Sequence, residues 1–388
     1  MHICFITNKY PNIVEPNVIV FLQQLIFAIS AEGIKCTVIC PIQINVYPKL
    51  HVLPYKRVDT YMGKDIEVFF PRYCGLGMTD ILGVNPARIT TYFFEKASEK
   101  VLVNLKSKPD YLYGHFVTPA AITCARLGRK YHIPSYFAYG EATFMTIDAF
   151  GRKNVKRELG SISGVIAVSS QNKEMISEYV PEGITEVFPN SIDNNVFYPR
   201  NCMSARKKYG FDPNAFIVSF VGSFDDRKGI NRLCKAVDRF NGEVKVICAG
   251  KGALVPTSPN CIFRKPVLHK NLPEFLSASD IFVLPTRNEG CCNAIIEALA
   301  CGLPIVSSNK SFNDDVLDNT NSIRIDSDSI EQIYEAIRIL KENTELRNKL
   351  HRGSIERAKD LTLEQRAKKI VIFMEKNNAK EQQDTIFE

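Results

Sequence analysis

The stretch from Ile281 to Ser307, IFVLPTRNEGCCNAIIEALACGLPIVS, constrains the fold more than any other part of the chain. Ile281 to Pro285 is a short apolar run, suited to a strand buried on both faces. Thr286 to Cys292 is polar, contains Gly290 and reads as a loop. Asn293 is a good N-cap, and Ala294 to Ala300 are strong helix formers. Gly302 and Pro304 stop that helix, and Ile305 to Ser307 opens another strand. Strand, loop, helix and strand make a parallel unit. Its loop lies at the carboxyl end of a strand, where open α/β sheets bind ligands.

The loop combines an anion site with acid groups. Backbone amides of Gly290, Cys291, Cys292 and Asn293 lie at a helix start, a favourable place for an anion. Glu289 and Glu297 flank them with seven residues between. A carboxylate there repels phosphate unless it accepts hydrogen bonds from hydroxyls, so the spacing fits a diphosphate with a sugar at each end. A solvated loop charge and a helix-surface Glu account for the same spacing. The longer pattern from Glu289 to Val306, E-G-x6-E-A-L-A-C-G-L-P-I-V, resembles the E-x7-E signature of the retaining glycosyltransferases of family GT4. That family has the GT-B fold, an α/β architecture of two Rossmann-like doubly wound domains facing across a cleft. The resemblance implies that Glu297 holds the ribose of a nucleotide-sugar and Glu289 contacts hydroxyls of the transferred sugar. It places the amides of Cys291 to Asn293 on sugar and phosphate.

At 388 residues the chain suits two domains of ordinary size. Lys and Arg number 49 against 42 Asp and Glu. This moderate excess suits an anionic membrane face, a phosphorylated lipid or a nucleotide. No motif for nucleic-acid binding is present. Of twelve cysteines, Cys4, Cys40 and Cys248 fall in apolar strand-like runs, and no C-x-x-C occurs. A zinc ribbon is therefore not expected, and the chain reads as reduced and cytosolic. The most apolar segment, Val18 to Ser30, is broken by Gln23 and Gln24 and is too short to span a bilayer. It lacks the basic start of a signal peptide and is expected as a buried helix.

The N-terminal half opens with a strand at His2 to Thr7, a loop at Pro11 to Pro16, a helix at Asn17 to Ala31 and a second strand at Lys35 to Pro41. Glu15, Pro16 and Asn17 stand where the family often carries a Gly pair facing the donor phosphates. Asp110 to His115 and Ile133 to Tyr139 are further strands, with a helix predicted at Phe116 to Lys130. The run from Gly114, G-H-F-x-x-P-A-A, resembles the family's H-x-H-F-x-x-P segment. Tyr139-Gly140 stands where the family has His-Gly, followed by Glu141. Asn17, His115, Tyr139 and Glu141 are thus the acceptor-side or sugar-side candidates. Tyr139 can hydrogen-bond but is no cation near neutral pH. The segment Phe150 to Gly160 puts Arg152, Lys153, Lys156 and Arg157 on one helical face. That face is either solvated or a contact for anionic lipid or a lipid-diphosphate acceptor, on the inner membrane surface.

Gly164 to Ser169 and Pro189 to Pro199, PNSIDNNVFYP, resemble the family's I-A-V-S strand and its P-N-G-V-D linker. They mark a boundary near residue 200. An N-terminal, acceptor-side domain is expected over residues 1–195, completed by a C-terminal helix at about 363–376. A nucleotide-sugar-binding domain is expected over 200–360. In the latter, VGSFDDRKG from Val221 to Gly229 resembles the family's donor-phosphate motif V-G-R-L-x-x-x-K-G. Gly222 and Lys228 match, Ser223 takes the Arg position, and Arg227 supplies a replacement charge. An Arg and a Lys at a helix start can neutralise a diphosphate without a metal. The resemblance implies a retaining transferase using a UDP- or GDP-sugar, with no further cofactor or metal. Its catalytic residues are Glu289, Lys228 and Arg227. Its acceptor is a hydroxyl of a glycan or lipid-linked glycan in bacterial surface-polysaccharide synthesis. A nucleotide-sugar epimerase of the same fold and a non-catalytic nucleotide-sugar-binding partner are the alternatives.

Overall fold

The structure is a computed structural model describing residues 1–76 and 85–387, with side chains described to residue 379. The chain divides into two compact units. One comprises Met1–Phe188 with Glu364–Glu388, and the other Pro189–Leu363. The division falls at the first residue of the Pro- and Asn-rich segment.

The first unit is built on an eight-stranded sheet. Its order is Thr185–Val187, Gly164–Ala167, Ser135–Tyr139, Tyr111–His115, His2–Ile6, Lys35–Ile39, Lys64–Phe69 and Lys56–Tyr61. All neighbours are parallel except the last pair. The central strands are buried throughout, which explains their unbroken apolar runs. The last pair is a hairpin turned by Met62 and Gly63, both at positive φ.

Two predicted helices are altered. The first begins at Val20 rather than Asn17, because Ile19 takes a left-handed φ of 45°. The Asn12 side chain holds the preceding loop as a turn by accepting the Val14 and Glu15 amides, each at 2.9 Å. The helix predicted at Phe116 to Lys130 starts only at Ile122. Pro119 forces Thr118 into an extended conformation (φ −117°, ψ 137°), which leaves Val117–Ala121 as a separate irregular turn.

The final helix, Leu363–Phe387, packs on the first unit and continues past the predicted end near residue 376. The Tyr136 hydroxyl donates to the Met374 carbonyl at 2.9 Å, and Phe373 lies edge-on to both Tyr136 and Phe188. Among the described residues, no helix is long and apolar enough to cross a membrane.

The second unit has a six-stranded parallel sheet in the order Cys261–Lys265, Val244–Ala249, Phe216–Val221, Ile281–Leu284, Ile305–Ser308 and Ser322–Ile325. The direction of winding reverses between Phe216–Val221 and Ile281–Leu284. Loops leaving the carboxyl ends of two such strands diverge and open a crevice, so this switch point sets the position of a ligand. The loops concerned are Gly222–Gly229 and Pro285–Cys292. Beneath them, one apolar core runs from Ile192 to Leu361 around both faces of the sheet.

Candidate donor site at the switch point of the second unit

The two loops bring two cations onto one carboxylate. Lys228 Nζ lies 2.5 Å from Glu289 Oε1, and Arg227 Nη1 lies 2.6 Å from the same oxygen. Thr286 Oγ1 donates to it as well, at 3.0 Å. Arg227 also binds the Asn288 carbonyl at 2.7 Å, so its exposed guanidinium spans the acidic loop. Lys228 is only 9% exposed, although it is a lysine. Burial acts to lower its pKa, but the Cys292 sulfur at 3.7 Å and the Glu289 carboxylate outweigh it and raise the pKa. Lys228 is thus a charged, buried group whose carboxylate partner among the described residues is Glu289.

The phosphate-type loop is held from within. Asp225 accepts the Lys228 backbone amide at 2.8 Å and the Ser223 hydroxyl at 2.5 Å. Burial works against ionisation of Asp225, but these two donors and the nearby cations hold its pKa below the usual value. The Gly222 backbone lies over the methylenes of Lys228.

The acidic loop departs from expectation at its end. Helix Asn293–Ala300 starts one residue earlier than predicted, with Cys292 rather than Asn293 at the N-cap. The Asn293 side chain is diverted, because its Oδ1 accepts from Asn190 Nδ2 at 2.8 Å, and the same amide donates to the Cys291 carbonyl at 3.1 Å. Asn190 therefore fixes the loop that carries Gly290, Cys291 and Cys292. Cys292 is buried, and burial pushes its thiol pKa up although Lys228 opposes this. One turn into the helix, Glu297 pairs with His269 Nε2 at 3.1 Å. That hydrogen bond raises the His269 pKa against the effect of burial, and the His269 ring packs on Phe197. Asn190 belongs to the PNSID segment, whose sequence marks only a linker, while His269 has no local sequence signal.

The candidates in the first unit are dispersed. His115 is buried between the rings of Phe21 and Phe116, and neither ring nitrogen has a hydrogen-bond partner. Burial, with help from Arg366, pushes its pKa down to about 3, so it is neutral. Tyr139 is fully buried among Phe137, Ile147 and Tyr179, with its hydroxyl unpartnered. Glu141 accepts the Val117 amide at 2.8 Å and the Gly140 amide at 3.2 Å. Burial pushes its carboxyl up to about 7 against those bonds. Asn17 is exposed in the turn before Val20–Ala31. A separate cavity of about 320 Å³ is lined by Lys9, Asn12, Glu15, Gln43, Tyr47 and Tyr73, among others.

The four bases predicted on one helical face lie on helix Arg152–Leu159 and are exposed. Arg152 pairs with Asp148 at 2.7 Å, and Arg157 pairs with Glu158 at 2.9 Å. Among the described residues, no group of three or more His, Cys, Asp or Glu side chains is placed to hold a metal ion.

Residues 203–357 match the family described as Glycosyl transferases group 1. The chain is 25% identical over 353 residues to TuaC of Bacillus subtilis (strain 168), named as a glycosyltransferase of teichuronic acid biosynthesis. The match covers 87% of this chain and 88% of TuaC. Among solved structures, sucrose-phosphate synthase of Thermosynechococcus elongatus superposes with a TM-score of 0.74 at 16% identity, covering 97% of this chain and 99% of that one. HepE of Anabaena, solved with UDP and glucose, gives 0.71 at 15% identity, covering 97% and 100%. These likenesses show the GT-B fold, with two Rossmann-like domains.

Proposed function

We propose that the chain transfers a sugar from a nucleoside diphosphate to a hydroxyl, with retention at the anomeric carbon; the match of residues 203–357 to the family described as Glycosyl transferases group 1, and relatives named as glycosyltransferases, support this reading. The observation that carries this reading is the convergence of buried Lys228 and exposed Arg227 on Glu289, beside a helix start. In the reaction the two cations and the amides of Gly290 to Asn293 take the charge that develops on the departing diphosphate. This charge set serves the leaving group without a metal. Glu289 turns from the cations to the hydroxyls of the transferred sugar and stabilises positive charge at its anomeric centre. The departing phosphate oxygen takes the acceptor proton on the same face. Glu297, oriented by His269, holds the ribose hydroxyls.

The acceptor side is the first unit. Glu141, with its carboxyl near neutrality, is the titratable candidate there, while neutral His115 and Tyr139 are buried packing residues. Asn17 stays a surface candidate. The acceptor is a glycan or lipid-linked glycan of bacterial cell-surface polysaccharide synthesis. Support comes from the name of TuaC and from the description of the GT-B neighbour WaaG as involved in lipopolysaccharide biosynthesis. We place the reaction at the cytoplasmic face of the membrane, with Arg152, Lys153, Lys156 and Arg157 toward anionic lipid. UDP is the first nucleotide to test, given the UDP complex of HepE. A panel of UDP- and GDP-sugars, assayed for slow hydrolysis without acceptor, tests the proposal. One donor cleaved by the parent and spared by Lys228→Ala supports it, and cleavage of none, with no nucleotide bound, refutes it.

A further inference from the structure

Arg232 follows the phosphate-type loop on helix Ile230–Asp238 and is 8% exposed. Its guanidinium is spent on the backbone of three separate segments. Nη1 binds the carbonyl and the carboxylate of Asp226, both at 2.9 Å. Nη2 donates to the Pro285 carbonyl at 3.0 Å, where the acidic loop begins. Nε donates to the Ser327 carbonyl at 2.7 Å, just past strand Ser322–Ile325. The neighbouring backbone completes the tie, because the Arg287 amide donates to the Arg227 carbonyl at 2.9 Å. Arg287 in turn pairs with Asp226 and Asp328.

Local sequence makes room for this. Gly229 has φ 81°, and a Cβ on it would lie 2.5 Å from the Pro285 carbonyl oxygen and 2.7 Å from Arg232 Nη2. Only glycine lets the guanidinium reach that carbonyl. A lysine offers one compact donor point and cannot reach three carbonyls in different directions, whereas the planar fork of arginine can.

We propose that Arg232 is a positioning residue that locks the Lys228 loop to the Glu289 loop, so that the cations and the acids act on one donor. This rests on the donor reading above for its functional meaning, but not for the lock itself. Among the described residues, Arg232 makes no hydrogen bond or ion pair with the side chain of Lys228 or Glu289. It acts through the backbone from which they project.

Two readouts test it on the full chain, using Arg232→Lys and Arg232→Met. Amide hydrogen exchange in the nucleotide-free protein reads the lock directly. Faster exchange in both Gly222–Gly229 and Thr286–Cys292 is expected in Arg232→Met, with the sheet strands unchanged and Arg232→Lys between. Exchange at the parent rate in either loop overturns the proposal. UDP and GDP titration with transfer kinetics reads the consequence. Loss of about 10²-fold in kcat/KM is expected from a displacement near 1 Å. That loss should shrink in a Lys228→Ala background, where the buried cation that the lock positions is gone. An equal loss in both backgrounds points to general destabilisation and overturns the positioning role. If the parent binds no nucleotide, the donor reading falls, and the exchange experiment alone decides the lock. Arg232→Lys keeps the charge and stem, and supplies the answer if Arg232→Met does not fold.

Discussion

Replacing Glu289 with Gln separates the two duties of that side chain. Without nucleotide, its carboxylate neutralises Lys228 at 2.5 Å and Arg227 at 2.6 Å. The side chains of Lys228 and Glu289 are 11% and 13% exposed, so their pair is poorly screened, while Arg227 at 42% is largely wet. A hydrogen bond to a charged group contributes about 1.5–3 kcal/mol, and an exposed pair under about 1 kcal/mol. Gln keeps an acceptor for Thr286 but leaves Lys228 charged, buried and unpaired. The expected cost is about 2–3 kcal/mol of stability in the nucleotide-free protein. A bound diphosphate supplies the missing anion. UDP or GDP should therefore restore the melting temperature of the variant and bind it more tightly than the parent, by roughly tenfold, since Lys228 no longer has to leave a partner. Transfer should nevertheless slow strongly, because no acid remains to hold the sugar. Thermal melts with and without nucleotide, calorimetric titration and single-turnover transfer give the three quantities. A Glu289→Gln protein that melts like the parent without nucleotide, or that binds nucleotide more weakly, refutes the reasoning.

The pair of Glu297 with His269 raises the histidine pKa. Its stabilisation is present below the ordinary histidine value and is lost as pH rises through the raised one. Glu297→Gln should lower the His269 titration, followed by NMR, because burial is then unopposed, and should weaken nucleotide binding; an unmoved titration contradicts the pairing. Glu141 behaves in the opposite sense. Its carboxyl is raised from 4.5 to about 7, so the native state holds a proton that the unfolded chain releases. Stability then falls as pH climbs between those values. Glu141→Gln should gain on the parent over that window, approaching about 3 kcal/mol above pH 8, and denaturant melts with a pH-independent difference would exclude the shift. Reversing the charges of Arg152, Lys153, Lys156 and Arg157 should reduce binding to anionic vesicles in a salt-dependent manner. Equal sedimentation of parent and variant with such vesicles removes the membrane role.

Where the determinants are local, the sequence is readable. Strand Ile281–Leu284, helix Asn293–Ala300 and strand Ile305–Ser308 lie where apolar runs, Gly302 and Pro304 put them. Gly302 has the positive φ of 78° that such a helix stop requires. The Lys228–Glu289 neighbourhood was likewise legible, because both loops leave adjacent strands at the switch point. Other elements carry local signals of their own. Pro119 disfavours a helix continuous from Phe116 to Lys130, and the helix starts at Ile122. Met62-Gly63, between alternating runs, marks the hairpin Lys56–Tyr61 and Lys64–Phe69. The alternation of a strand puts Tyr139 on the face of Phe137 and hence in the core, where a sugar-facing role was expected. The rest was beyond local reading. Asn190 takes Asn293 away from capping across 103 positions, and His269 meets Glu297 across 28. Such pairs depend on how the sheet brings loops together, and no spacing in the chain announces them.

In the proposed reaction a nucleoside diphosphate lies between the Arg227–Lys228 pair and the start of helix Asn293–Ala300. A crystal structure of the chain soaked with UDP or GDP tests it most directly. The expected density places the diphosphate within hydrogen-bond reach of Lys228 Nζ and the Cys291 to Asn293 amides, the ribose on Glu297, and Glu289 drawn off Lys228. Nucleotide bound elsewhere, or Glu289 still closed on Lys228 with no density beside it at saturating nucleotide, contradicts the account.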